Sequence, residues 1–253
     1  MKNSRTIISL LVMLTASTAW AQDTTSRSVT GLRFSLEAGL QENKSLTIIQ
    51  QQLRQANVDA SAIGNVAGNI VLSFVRDKPR HVSETRFLGT LPLTDGVSAG
   101  APVRRASFYG LGFGFSDMYK LVDTRRFLVG PLLGFDFMWY RLSLLPLDRD
   151  NLSLANIANN PAAYSTVTFR QGSYINMHVA VAADYRVYWL KKLYNEFRFG
   201  ARLGYQLPVL RNGPWRFNDG SLGDLSAFRA TMPYLQLGIT LLPKSAKERR
   251  RGF

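Results

Sequence analysis

The sequence predicts an all-β fold, an eight-stranded antiparallel β-barrel with one short helix in its first long loop. Three observations carry this reading: side chains alternate with a period of two over eight stretches, the connections alternate long and short, and glycines and charges gather on the parity opposite the bulky apolar residues. Successive side chains of a strand point to opposite faces of its sheet, so a sustained period of two identifies strand.

The alternation is clearest between Ser173 and Leu207. Ile175, Met177, Val179, Val181, Ala183, Tyr185, Val187 and Trp189 share one parity, and Asn176, His178, Ala180, Ala182, Asp184 and Arg186 the other. After a short connection around Lys191 and Lys192 the pattern resumes, with Phe197, Phe199, Ala201, Leu203, Tyr205 and Leu207 opposed by Glu196, Arg198, Gly200, Arg202, Gly204 and Gln206. Both runs exceed the ~5 to 6 residues usual for strands of soluble proteins.

The other strands follow in order. Leu32, Phe34, Leu36, Ala38 and Leu40 alternate with Arg33, Ser35, Glu37 and Gly39. Between Gln41 and Gly68 the helical spacing of Ile48, Ile49, Leu53 and Ala56 predicts a short helix inside a long loop. Weaker strands run from Asn69 to Arg76 and from Val82 to Leu91 around a turn at Asp77 to Arg80, where Pro79 cannot continue a ladder; their register stays open. Pro92 to Arg104 reads as loop. Tyr109, Leu111, Phe113 and Phe115 then alternate with Gly110, Gly112, Gly114 and Ser116, a glycine face that leaves room inside a small barrel.

Phe127 to Leu147 is apolar enough to compete as a transmembrane helix, but Pro131 would break it and Asp136 and Arg141 would lie in hydrocarbon. As a strand it sets Leu133, Phe135, Phe137 and Trp139 against Gly134, Asp136 and Tyr140. Asp148 to Gly172 and Arg211 to Arg229 read as loops, and Leu235, Leu237, Ile239 and Leu241 alternate with Tyr234, Gln236, Gly238 and Thr240 in the last strand.

Lys2 and Arg5 precede the apolar run Ile7 to Leu14, and Ala19-Trp20-Ala21 has small residues where a signal peptidase reads, so residues 1–21 are expected to be a signal peptide. The apolar run is too short to span ~30 Å of hydrocarbon. Residues 22–30 are expected to be a flexible lead, 31–243 the barrel and 244–253 a basic tail. The chain holds 31 Lys plus Arg against 17 Asp plus Glu, a formal charge of +14, and no cysteine, which removes disulfides and cysteine metal sites. Export removes cytoplasmic nucleic acid as the partner of that charge, and anionic lipid takes its place.

With the N-terminus on the periplasmic side, every long loop falls outside the cell and every short turn inside, the asymmetry of outer-membrane barrels. An even number of strands closes antiparallel and leaves no edge unpaired in lipid. Tyr109, Trp139, Tyr174 and Tyr205 near the loop ends, and Tyr119, Phe127, Trp189 and Tyr194 near the turn ends, are expected to mark the two interfaces of an apolar belt ~25 Å tall. A slip of one residue in the hairpin would turn Asp184, Arg186, Arg198 and Arg202 to lipid, at roughly 2 to 4 kcal/mol for each basic residue near the midplane. A soluble calyx would need the reverse arrangement, with apolar residues fitting inside. From Gly31 to Leu242 the chain resembles the small, eight-stranded OmpA/OmpX-like outer-membrane barrels. Gln236, Gly238 and Leu241 are similar to that family's assembly signal in the last strand, and the chain ends in an aromatic residue, Phe253, after a basic segment. The resemblance implies residence in the bacterial outer membrane, with the barrel assembly machinery and outer-membrane lipids as partners.

Inside so narrow a barrel, Arg33, Glu37, Asp136, Asp184, Arg186, Glu196, Arg198 and Arg202 are expected to form a charge network that fills the lumen. His178 is the candidate for chemistry, since some barrels of this size are lipid hydrolases or acyltransferases. A nucleophile must lie within reach of such a base; Ser173, Ser143 and Asp184 are the nearest candidates, and no G-x-S-x-G pattern is present. His81 falls in a turn. Lys78, Arg80, Arg125, Arg126, Lys191 and Lys192 lie at the periplasmic turns, where headgroup contacts are worth on the order of 1 kcal/mol each. No motif for a metal, nucleotide or other cofactor stands out. The function expected is a structural or surface-interaction role through the long loops with an unidentified extracellular ligand; lipid modification by His178 and small-molecule passage are the alternatives.

Overall fold

A computed structural model describes residues 28–40, 45–61, 63, 66–93, 104–146, 158–159, 161–187, 194–209 and 213–243. Eight strands make the wall: β1 (Val29–Leu40), β2 (Val66–Asp77), β3 (His81–Leu93), β4 (Arg104–Tyr119), β5 (Phe127–Pro146), β6 (Val167–Val187), β7 (Tyr194–Pro208) and β8 (Met232–Pro243). Each pairs antiparallel with its neighbours in sequence, and β8 returns to β1, with Leu36 opposite Leu237, so the sheet closes and no barrel strand is left as an edge. Closure satisfies backbone groups that hydrocarbon could not.

The connections divide the barrel into a loop end and a turn end. Residues 78–80, 120–126 and 188–193 join strands at the turn end, and the four longer connections lie at the other. The helix expected in the first loop is α1 (Ser45–Gln55), which buries Leu46, Ile49 and Leu53. A second, α2 (Pro161–Tyr164), precedes β6. A hairpin of residues 215–217 and 220–222 stands in the last loop, its turn using Asn218 with φ of 51° in the left-handed region that Asn tolerates.

The alternation read from the sequence separates inside from outside. On β1, Arg33, Ser35 and Glu37 are buried in the lumen, while Leu32, Phe34, Leu36 and Leu40 are exposed on the exterior. The same holds around the wall for Phe74, Phe87, Leu111, Phe115, Leu133, Val179, Val181, Phe199, Leu203, Leu235 and Leu237. A closed sheet whose outer face is continuously apolar has one solvent that suits it, the interior of a bilayer. Among the described residues no helix is long and apolar enough to cross a membrane.

Several boundaries differ from the sequence reading. β1 begins at Val29, inside the stretch expected to be a flexible lead. β6 begins at Val167, well before Gly172, where the loop was expected to end. There the ladder with β5 skips: Met138 faces Tyr174 but Tyr140 faces Gln171. This bulge interrupts the period of two, which hid the upper half of the strand. Residues 1–21, the tail 244–253, Trp189, Lys191 and Lys192 lie outside the described residues.

Leu203, 67% exposed on the outer face of β7, tests the orientation. Leu203→Arg is expected to lower folding stability in phospholipid vesicles by about 2 to 4 kcal/mol, read by denaturant titration of tryptophan fluorescence. A change within about 0.5 kcal/mol, as at an ordinary water-facing position, contradicts a lipid-facing wall.

Candidate functional site

Among the described residues the lumen gathers most of the ion-paired groups, and its strands arrange them in three levels. Nearest the loops, Arg86 donates to Glu37 Oε2 at 3.2 Å and lies 3.5 Å from Asp136 Oδ2. Asn69 donates to the other Glu37 oxygen at 2.6 Å and accepts from Thr90 at 2.7 Å. In the middle level Arg33 donates to Asp184 at 2.8 Å and Glu84 at 3.3 Å, and Arg202 pairs with the same Glu84 oxygen. At the turn end Arg198 bridges Asp77 and Glu196, Arg186 joins Glu196 at 2.7 Å to Asp123 at 2.6 Å, and Lys120 closes the group against Asp123 at 3.4 Å. The middle level sets two arginines against two carboxylates, which neutralises charge that neither lipid nor bulk water can reach.

Asp123 sits outside the membrane-crossing segments. Burial favours its neutral form, but the hydrogen bond and charge of Arg186, with the charge of Lys120, outweigh burial and hold its carboxyl below the ordinary range.

Glycine supplies the space for these groups. A Cβ on Gly200 would collide with the Arg33 guanidinium and the Asp184 carboxylate, and one on Gly134 with the His178 ring. The glycines facing the lumen therefore mark where long side chains cross it.

His178 is enclosed, with 1% of its surface exposed. Its Nε2 lies 2.6 Å from Arg86 Nη1, a group that only donates, and its Nδ1 lies 3.4 Å from the same nitrogen and 3.2 Å from the Tyr234 hydroxyl. Asp136 is 3.7 Å from Nε2. The residues considered as its partners lie elsewhere: Asp184 is bound to Arg33, and Ser143 shares a contact with Thr168 at 3.3 Å. The Ser173 side chain lies outside what is described. His81 bonds Asp117 at 2.8 Å on the turn-end exterior, with Ser83 donating to the other oxygen.

The loop end is built differently, from apolar residues. Leu46, Ile49 and Leu53 of α1, with Val58, Ala60 and Ile63 behind it, close over Phe108, Met138, Tyr140 and Leu142 of the wall and meet Trp215, Phe228 and Ala230 of the last loop. Phe108 stacks on Tyr140 at 5.6 Å, and Phe228 meets Tyr140 edge-on at 4.5 Å. Side-chain amides fasten the parts: Gln171 donates to Phe228 O and accepts from Phe228 N, Gln52 pairs likewise with Asp224 O and Ser226 N, and Trp215 Nε1 donates to Ser226 O at 2.8 Å. The first and last loops thus form a folded cap with its own core, and the charged filling expected along the lumen gives way to an apolar one beneath it.

All eight residues expected in the lumen network are thereby located: Arg33, Glu37, Asp136, Asp184, Arg198 and Arg202 buried, Arg186 and Glu196 nearer the turn-end mouth. Glu84 and Arg86, which hold two of the three levels together, were missed because the register of 69–91 stayed open; their shared parity with Val82 and Leu88 was the available signal. Lys78, Arg80, Arg125 and Arg126 lie at the turn end, the last three exposed. Among the described residues no cluster of His, Cys, Asp or Glu could hold a metal.

No family model and no curated protein sequence matches the chain. Its structure is similar to that of Neisserial surface protein A, at 12% identity over 85% of this chain and 99% of that one, with a TM-score of 0.41. It is also similar to a major outer membrane protein from Thermus thermophilus, at 12% identity over 83% and 98%, TM-score 0.45. Ail, the attachment invasion locus protein of Yersinia pestis, is similar at 9% identity over 85% and 96%, TM-score 0.35. Likenesses of this size leave the site to be read from its own residues.

Removing one member of the middle level should be costly, because its partners stay buried. Arg33→Met is expected to destabilise the barrel by about 3 to 5 kcal/mol, whereas the pair Arg33→Met with Asp184→Leu should recover part of that loss. Equilibrium unfolding in vesicles checks both, and a double variant no better than the single would contradict the pairing.

Proposed function

We propose that this chain is a bacterial outer-membrane barrel, closed to passage, whose first and last loops form a cap and whose long loops serve a structural or interaction role outside the cell. The observation that carries this is the apolar core joining α1, the last loop and the wall across the loop end of the lumen. Ion-paired side chains occupy the barrel below it, so a polar solute meets a packed apolar layer at one end and a neutralised network at the other. The apolar exterior and the grouping of the long connections at one end support membrane residence with the loops outward.

Loops ordered on a rigid scaffold are where binding surfaces reside, and the cap offers such a surface to a ligand outside the cell. Lys78, Arg80, Arg125 and Arg126 are suited to inner-leaflet headgroups, as are Lys191 and Lys192 at the third turn by their place in the sequence. The last strand, with Gln236 and Gly238 inward and Leu237 and Leu241 on the other parity, suits recognition by the barrel assembly machinery. The geometry of His178 counts against lipid modification: a base needs a free ring nitrogen and an approach for substrate, and both nitrogens here are engaged in an enclosed layer.

Two measurements test the closed, capped barrel. The wild-type protein in planar bilayers is expected to show no steady ion conductance; regular open channels would contradict closure. Trp215→Ala, which removes a fully buried side chain, is expected to cost the cap about 3 to 5 kcal/mol, seen as faster hydrogen exchange in residues 45–55 and 213–231 with exchange in the wall unchanged. Equal exchange in the variant and wild type would contradict a cap with a shared core.

A further inference from the structure

We propose that the outward row Arg141, Arg170 and Arg216 is a binding site for the phosphate groups of a lipid in the leaflet at the loop end. The proposal rests on the membrane reading above. Arg141 stands directly opposite Arg170, and Arg170 directly opposite Arg216, so three cations occupy adjacent strands on one face. Their neighbours Tyr140, Leu142, Gln171 and Trp215 are buried, which turns the arginines outward. Like charges directly opposite on a sheet destabilise it. The ion pairs among the described residues all lie in the lumen or at the turn end, and none reaches this row. An arrangement that concentrates positive charge with no paired carboxylate among the described residues is suited to an anion from outside the chain.

The row is also shaped for phosphate. The Arg141 guanidinium lies 5.7 Å from the Tyr109 ring centre and donates through Nη2 to Thr168 Oγ1 at 3.1 Å, which holds it in place. Its Nε is buried without a hydrogen-bond partner among the described residues. The Ser143 and Thr168 hydroxyls stand beside it, 3.3 Å apart. Guanidinium groups bind phosphate oxygens through paired, charge-assisted hydrogen bonds.

Height in the membrane selects a lipid as the source of that phosphate. The next outward residue toward the turn end of β5 is Trp139, exposed and 5.8 Å from Phe113, which stacks on Phe137 at 5.1 Å. These rings form the upper edge of the apolar belt on this side, and two residues along a tilted strand rise roughly 5 Å. The guanidinium groups therefore stand one headgroup layer above the rings. A lipid can lay its acyl chains on Leu111 and Trp139 while its phosphate meets the row, and a soluble anion would gain nothing from that wall.

The test uses the full mature barrel in detergent micelles and native mass spectrometry, with two probes: a diphosphorylated glucosamine glycolipid and the same lipid with both phosphates removed. The wild type is expected to retain the phosphorylated lipid about tenfold more tightly, and R170Q/R216Q, at two exposed positions, to lose most of that preference. Heat-modifiable migration on a gel verifies that the variant has folded, and R170Q alone, expected to lose part of the preference, serves if it has not. Equal retention of the two probes by the wild type, or full preference in the folded variants, would overturn the site. Displacement of the lipid by millimolar inorganic phosphate would assign the row to a free anion and overturn the lipid source. A wild-type barrel that fails to enter vesicles contradicts the membrane reading and the site together, whereas one that inserts but shows no preference for phosphate contradicts the site alone.

Discussion

A wall that turns apolar side chains outward across the membrane belt has one parity left there for its charges, and in eight strands that parity meets in a space too narrow for bulk water. Every buried cation must then find its anion across the lumen. Arg33 on β1 reaches Asp184 on β6 and Glu84 on β3, while Arg198 on β7 reaches Asp77 on β2. These links cross the barrel between strands remote in sequence, so they hold the closed form and no other pairing of the same strands. The apolar belt and the lumen network are two consequences of one alternation.

The cap answers a different requirement. Beyond the belt, strands β4, β5 and β6 continue past the membrane edge, and their inner faces carry Phe108, Tyr140, Leu142 and Gln171 in place of charges. That apolar surface needs cover from water, which α1 and the last loop provide with Leu46, Ile49, Trp215 and Phe228. The loops are therefore ordered by the same hydrophobic burial that orders a soluble core. This separates the molecule into a neutralised lower lumen and a dry upper one, and makes the cap's outer surface, with the arginine row at its base, the part best suited to meet other molecules.

Much of the wall was legible in the sequence, because a period of two cannot survive where both faces see the same environment. Tyr185 outward and Asp184 inward follow from that rule alone. Glu84 and Arg86 were less legible since their outward neighbours Ser83 and Thr85 are polar near the turn end, which flattens the contrast between faces. The upper half of β6 was hidden by the bulge opposite Trp139, across which the inward parity passes from Asn176 and His178 to Phe169 and Gln171. Of the cap only its helix was legible, from the spacing of Ile48, Ile49 and Leu53; Ile49, Trp215 and Phe228 are far apart in sequence and meet through contacts that no period records. Trp215 and Phe228 in the last loop mark its apolar content without showing where it packs.

The central claim is that lipid lies against one parity of the wall and the charge network against the other. Site-directed spin labels along β7, placed one at a time at residues 198 to 206, measure it through collisions with oxygen, which concentrates in hydrocarbon. Labels at Phe199, Ala201, Leu203 and Tyr205 should show high oxygen accessibility, and those at Arg198, Gly200, Arg202, Gly204 and Gln206 low accessibility, in strict alternation. A flat profile, or one with the two parities exchanged, would contradict the orientation on which the lumen network, the cap and the arginine row all depend.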